Sequence, residues 1–160
     1  LLMDCYQKRD KVAMIVFRNA KAEIVLQPTS SVEHAARRLQ EIPTGGKTPL
    51  SAGLLESYEL IQRHAKKAPE TRFLLVLVTD GRANQALSDL PVKEEVRRIA
   101  RLIGELPHTD TVVVDTENKT SFLAANLALP LAAELDADYY TIENLKADYL
   151  VELVQKNKTN

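Results

Sequence analysis

Runs of apolar residues separated by short polar segments divide the chain into strands and helices. The apolar run from Phe73 to Val78 is rich in Val and Leu, and it predicts a strand buried on both faces. Shorter apolar runs predict further strands over residues 12–17, 23–27, 111–114 and 138–142. The connection at residues 18–21 is too short for a crossover helix, so we expect the first two strands to form an antiparallel hairpin.

Apolar residues at helical spacing predict the helices between and after these strands. Ser30 and Glu33 form a capping-box pattern before a helix that ends near Glu41. Thr48 before Pro49 fits an N-cap followed by proline at the first helical position. Four further helices follow, and each has apolar residues on one predicted inner face. Pro91 opens the second of them, and Pro130 should kink the third. In chain order the inner faces are Leu54, Leu55, Tyr58 and Ile61; Val96, Ile99, Ala100 and Ile103; Leu123, Leu127, Leu131 and Leu135; and Tyr149, Leu150, Leu153 and Val154.

Strands that alternate with helices after residue 50 predict a mainly parallel, doubly wound α/β sheet with helices on both faces. The length of 160 residues suits one domain over residues 1–160, with a polar tail from about 156. Residues 1–9 resemble the interior of a helix, so we expect a fragment that lacks its natural N-terminus.

Composition narrows the function classes. The formal net charge of −1 provides no basic excess for nucleic acid, and no apolar run is long enough to span a bilayer. The single Cys5 excludes an internal disulfide and suggests a reducing compartment, so we expect a cytoplasmic location.

Candidate chemistry begins where the strand at 73–78 ends, in Thr79-Asp80-Gly81. This position delivers the Asp80 carboxylate to the edge where open α/β sheets usually bind ligands, and Asp115 ends the next strand in the same way. The alternative is an ordinary Asp-Gly turn, since both residues tolerate turn geometry.

A second polar cluster, Thr44-Gly45-Gly46-Lys47-Thr48-Pro49, opens a helix upstream. Gly45 and Gly46 allow close backbone approach, and the Thr48 hydroxyl facing the Asp80 carboxylate would suit a hard cation such as Mg2+. The alternative is that the Thr48 hydroxyl only caps the helix. A phosphate loop is excluded because Glu41 stands where that motif needs glycine.

The loop after Asp80 carries two further candidates, Arg82 and Asn84. They could contact an acidic group of a partner, or they could only fix the loop. The predicted partner-binding residues are Gly45, Gly46, Lys47, Arg82, Asn84 and Asp115.

These motifs together resemble a von Willebrand factor A domain, and more narrowly the C-terminal domain of the magnesium chelatase D subunit and its cobaltochelatase-type relatives. The resemblance rests on Thr-Gly-Gly-Lys-Thr-Pro-Leu at residues 44–50 and Thr-Asp-Gly-Arg-Ala-Asn at 79–84. Val-Ala-Met-Ile-Val-Phe-Arg at 12–18 and Asp-Thr-Glu at 115–117 support it. It implies a Rossmann-like three-layer fold with one antiparallel edge hairpin.

The resemblance implies a metal-ion-dependent adhesion site with Thr48 and Asp80 as ligands. The Asp-x-Ser-x-Ser segment and the first central strand that carries it are not found in this sequence. With two ligands left, we expect weak or absent Mg2+ binding. We also expect unpaired edges on the strands at 12–17 and 73–78, through which two copies of the chain could pair.

The family further implies a docking module in ATP-dependent insertion of magnesium or cobalt into a tetrapyrrole, itself non-catalytic. Its partners would be the chelatase ATPase ring and the porphyrin-binding subunit. One alternative is a binding module of another ATPase or chaperone-like complex, which the sequence upstream of Leu1 would identify. The last alternative is an α/β enzyme or phospho-receiver that uses Asp80, which acetyl-phosphate labelling would detect.

Overall fold

The computed structural model describes residues 10–19, 21–41, 47–116 and 127–142. The strands in this part are β1 (Val12–Arg18), β2 (Lys21–Thr29), β3 (Phe73–Thr79), β4 (Thr109–Asp115) and β5 (Asp138–Thr141). The helices are α1 (Val32–Gln40), α2 (Leu50–Lys67), α3 (Val92–Gly104) and α4 (Ala128–Glu134). The predicted helical segments at residues 1–9 and around 149–154 lie outside the described residues.

The first two strands form the predicted antiparallel hairpin. The register runs from Val12 opposite Thr29 to Arg18 opposite Lys21, with an irregularity around Met14. Asn19 turns the chain with a positive φ of 59°, a conformation that asparagine tolerates better than most residues.

The other three strands form a parallel sheet in the order β3-β4-β5, which confirms the α/β prediction. Thr79 at the end of β3 lies opposite Asp115 at the end of β4, so both strands end at the same edge of the sheet. Among the described strands, the hairpin and the parallel sheet remain two separate sheets, and β1 forms no ladder with β3.

Two predicted helix starts were wrong by one residue. The hydroxyl of Ser31, not Ser30, accepts a hydrogen bond from the His34 amide at 3.2 Å and caps α1. Pro49 occupies the cap position of α2 without a side-chain cap bond, so Thr48 precedes the cap. At the first of these starts, Ser31 has the extended backbone that a cap position needs. The residue pattern alone did not separate either cap from its neighbour.

The predicted kink at Pro130 was also wrong. Helix α4 begins at Ala128, which places Pro130 in its first turn. A backbone N–H in the first turn has no intrahelical acceptor, so proline removes no hydrogen bond there. Leu131 and Leu135 are buried as predicted, whereas Leu123 lies outside the described residues.

One core joins helices α2, α3 and α4 to the parallel sheet, and the predicted inner faces of α2 and α3 supply much of it. The prediction that β3 is buried on both faces was wrong, because Val78 is 56% exposed whereas Leu77 and Thr79 on either side of it are buried. Val112, Val113 and Val114 of β4 are all buried, since β4 has a paired strand on each side.

Helix α2 crosses the hairpin at a position that excludes a side chain. A Cβ atom on Gly53 would lie 2.4 Å from the Phe17 ring and 3.1 Å from the Phe17 Cβ. Close packing therefore fixes the hairpin against the helix that follows the polar cluster at 44–49. In the described part of the chain, no helix has the length and apolar character needed to cross a membrane.

Candidate functional site

The chain turns sharply where β3 ends. Gly81 has a φ of 70°, and its amide donates a hydrogen bond to the Thr79 hydroxyl at 3.2 Å. A Cβ atom on Gly81 would lie 3.2 Å from the Ala128 backbone nitrogen. Glycine is therefore required for both the backbone conformation and the close approach of α4. This turn brings the Asp80 carboxylate to the carboxyl end of the sheet.

Both oxygens of the Asp80 carboxylate interact with Arg82 in the same loop. Its Oδ1 accepts a hydrogen bond from the Arg82 amide at 3.1 Å, and its Oδ2 lies 3.6 Å from the Arg82 Nε. The Asp80 side chain is 42% exposed, so solvent can reach the carboxylate. Arg82 therefore acts as a local counter-ion for the residue that the sequence assigns to metal binding.

Asn84 joins this loop to the segment that contains Thr48. The Thr48 amide donates to the Asn84 side-chain oxygen at 2.9 Å, and the Asn84 amide donates to the Thr48 carbonyl at 3.3 Å. These two bonds bring together the segments that carry Thr48 and Asp80. The Thr48 hydroxyl itself forms no hydrogen bond with the described residues.

The turn of the β1–β2 hairpin contacts the segment that contains Thr48. The Asn19 amide donates to the Lys47 carbonyl at 2.9 Å, while the Lys47 side chain is exposed. Sequence reasoning missed Asn19. The only available signal was an asparagine in a tight connection between two strands, which does not say what the turn contacts.

Asp115 lies at the same edge but in a different environment. It is 4% exposed, and its Oδ2 accepts a hydrogen bond from the Tyr139 hydroxyl at 2.5 Å. The Thr116 amide also donates to the Thr79 carbonyl at 2.9 Å, which ties the ends of β3 and β4 together. A partner-binding role for Asp115 stays a prediction, and so do the roles of Gly45 and Gly46, which lie outside the described residues.

Replacing Tyr139 with phenylalanine should lower the free energy of unfolding by about 1–3 kcal/mol, because a buried carboxylate loses a hydrogen bond. Urea unfolding measures the change. Tyr58→Phe is the matched control, since its hydroxyl only accepts a bond from the neutral Gln62 side chain. Equal losses of stability in the two variants would show that the bond to the Asp115 carboxylate stabilises the fold no more than a bond to a neutral side chain.

Sequence reasoning also missed Glu95, which holds the far end of the loop after Asp80. Its carboxylate accepts bonds from the Leu87 and Ser88 amides, each at 2.8 Å, and from the Ser88 hydroxyl at 2.6 Å. Burial raises the pKa of Glu95. These bonds, with a contribution from Ser51, lower the pKa by a larger amount, so the net pKa lies below its usual range. The Ser51 hydroxyl is buried and forms no hydrogen bond with the described residues. Glu95 is therefore ionised at neutral pH.

The arrangement offers oxygen donors rather than a cluster of typical metal ligands. The described residues contain no group of three or more His, Cys, Asp or Glu side chains that could hold a metal ion. A threonine hydroxyl and a partly exposed carboxylate fit the donor chemistry of a hard cation, with water as the remaining ligands.

Comparisons with known proteins place this geometry in context. No protein-family model matches the chain. MJ0910 of Methanocaldococcus jannaschii, an uncharacterized protein, is 34% identical over 160 residues that cover all of this chain and 90% of that protein. The uncharacterized protein Rv2850c of Mycobacterium tuberculosis is 44% identical across 97% of this chain and 24% of that protein. The magnesium-chelatase 67 kDa subunit of Chlorobaculum parvum is 34% identical across 95% of this chain and 26% of that subunit.

Solved structures identify the fold. BatB of Bacteroides thetaiotaomicron superposes with a TM-score of 0.68 at 15% identity, covering 99% of this chain and 86% of that one. The VWA domain of SpRpn10 superposes with a TM-score of 0.59 at 10% identity, covering 88% of this chain and 70% of that domain. The chain has the von Willebrand factor A fold.

This von Willebrand A domain belongs to the same family as MJ0910, which it matches over nearly the whole length of both proteins. It spans about a quarter of the length of Rv2850c and of the magnesium-chelatase subunit. In those two proteins the matching region is therefore one part of a larger polypeptide.

Proposed function

We propose that this von Willebrand A domain is a protein-docking module of a magnesium or cobalt chelatase complex. The observation that carries the proposal is the similarity of nearly the whole chain to magnesium-chelatase subunits of 67 and 60 kDa. The exposed loop edge that contains Asp80, Arg82 and Lys47 provides a charged surface on which a partner can dock.

A divalent cation such as Mg2+ would be held at this edge by the Thr48 hydroxyl and the Asp80 carboxylate, and only weakly by this chain because water must supply the other ligands. Bound there, it would supply an open coordination position for a partner's carboxylate. The two hydrogen bonds between the Thr48 backbone and Asn84 support this role, because they fix both ligand segments to each other. Gly45, Gly46, Lys47, Arg82, Asn84 and Asp115 are the proposed partner-binding positions around the ligands.

The proposed partners are the ATPase ring and the porphyrin-binding subunit of the chelatase, acting in the cytoplasm in tetrapyrrole metal insertion. The module itself supplies docking rather than catalysis. Because β1 and β3 form no ladder with each other in the described part, a strand from a second copy is a further proposed partner. Sedimentation of the chain as a stable compact monomer at all concentrations would argue against such pairing.

Capture of partners by the full-length protein tests the proposal. With Mg2+ present, the protein should retain the ATPase-ring and porphyrin-binding subunits, and chelator should release them. Thr48→Val should weaken the Mg2+-dependent capture because it removes a proposed ligand oxygen while keeping a similar volume.

Thr71→Val is the matched control, because Thr71 is exposed and lies outside the candidate site. It should capture partners as the unmodified protein does. Capture of the same strength with Mg2+ and with chelator would overturn the role of the cation. Failure to capture either subunit under both conditions would overturn the chelatase assignment.

A further inference from the structure

Glu95 is a buried carboxylate that is not one of the proposed ligands. It is 5% exposed, and it sits in the first turns of α3. Burying an ionised carboxylate is costly unless hydrogen-bond donors replace its hydration. Here the donors come from one place, the loop between β3 and α3, through Leu87 and Ser88.

The same loop is held at two points. Near its start, Asn84 exchanges two hydrogen bonds with the backbone of Thr48. Near its end, Leu87 and Ser88 donate three bonds to Glu95. Asp80 and Arg82 precede the first point, so the loop carries candidate site residues between the end of β3 and these two attachments.

Glu95 also adjoins the helix that follows Thr48. Helices α2 and α3 pack against each other, and Ser51, in the first turn of α2, is fully buried and contributes to the lowered pKa of Glu95. The Glu95 carboxylate therefore sits where α3, the loop and the start of α2 meet. The Thr48 and Asp80 segments converge on the same region through Asn84.

We propose that Glu95 is a positioning residue, which fixes the loop at Leu87 and Ser88 so that Asn84 stays bonded to Thr48 and the candidate site keeps its geometry. Its consequence for cation binding rests on the proposed function. Its consequence for the loop does not, because the hydrogen bonds belong to this chain alone.

A carboxylate suits this task better than a neutral side chain. Hydrogen bonds to an ionised acceptor are about twice as strong as neutral ones, and two carboxylate oxygens can serve three donors. The amide of a glutamine would place an N–H group opposite one of these donors. Glu95→Gln should therefore release one end of the loop without changing the size of the side chain.

Amide hydrogen exchange of the full chain tests the proposal, with the Thr48 and Asn84 amides as reporters. Neither amide is hydrogen-bonded to Ser88 or Glu95, so a purely local role would leave their exchange unchanged. In Ser88→Ala, loss of one charge-assisted bond should speed their exchange by about tenfold. Ser88→Thr keeps the hydroxyl and should restore the slow rate. Glu95→Gln should match or exceed the effect of Ser88→Ala.

Glu94→Gln is the matched control, because Glu94 is the adjacent carboxylate and pairs only with exposed arginines on its own helix. Urea unfolding of each variant separates a loosened loop from a loss of global stability. Faster exchange at Leu87 and Ser88, with Thr48 and Asn84 unchanged in both Ser88→Ala and Glu95→Gln, would overturn the proposal.

A titration with Mg2+ alone, followed by amide chemical shifts, separates this proposal from the proposed function. If Asp80 and Thr48 shift with Mg2+ in the unmodified chain, Ser88→Ala should weaken that response several-fold and Ser88→Thr should restore it. If they do not shift, the proposed cation site fails, and the exchange rates still decide the role of Glu95.

Discussion

Gly53→Ala should destabilise the domain, although helix propensity alone predicts the opposite. Alanine in a helix interior is favoured over glycine by about 1 kcal/mol. Here the new methyl group would lie 2.4 Å from the Phe17 ring and 3.1 Å from the Phe17 Cβ. Because the Phe17 Cβ is itself close, rotation of the ring cannot relieve the whole clash. We expect the free energy of unfolding to fall by about 1–3 kcal/mol, the usual cost of overpacking, as measured by urea unfolding.

A double-mutant cycle with Phe17→Ala isolates the cause. Phe17→Ala alone should destabilise the domain by removing an aromatic side chain that packs on the core. In that background Gly53→Ala should become neutral or stabilising, since the space is then open. A Gly53→Ala variant that is more stable than the unmodified chain would show that α2 and the hairpin do not pack this closely.

The alternation of apolar and polar residues was enough to predict most of the fold. The spacing of Leu54 and Ile61 located the inner face of α2, and the short link at 18–21 predicted the hairpin. Both depend on local periodicity. The exposure of Val78 could not be predicted this way, because an apolar strand residue reads the same whether or not a helix covers it.

The candidate site also contains features that local sequence predicts and features that it does not. Asp80 could be placed at the end of a strand because the end of an apolar run is visible in the sequence. The bond between Asn84 and Thr48 joins residues 36 positions apart, and the attachment of Ser88 to Glu95 depends on how α3 packs. Contacts of this kind are set by tertiary packing, so the motifs identified the ligand candidates and missed the residue that holds their loop.

Asp80→Asn should abolish most of the Mg2+-dependent capture of partners while leaving the fold intact. The substitution removes the charge that a hard cation requires but keeps an oxygen that can accept the Arg82 amide bond. Changing a residue that merely supports a metal ligand costs about 10–100-fold in affinity, so loss of the carboxylate should cost at least about tenfold. Stability should change by less than about 1 kcal/mol, because the Asp80–Arg82 pair is partly exposed.

Two further variants test whether Asp80 acts as a metal ligand and whether Arg82 competes with the cation for it. Asp89→Asn removes the same charge from an exposed position of the same loop, so equal losses in both variants would indicate general electrostatics rather than ligation. Arg82→Gln removes the counter-ion that lies 3.6 Å from the Asp80 Oδ2, and it should strengthen Mg2+ binding by leaving the carboxylate less neutralised. Weaker Mg2+ binding in Arg82→Gln, with an unchanged fold, would mean that Arg82 supports the site rather than competing with the cation for Asp80.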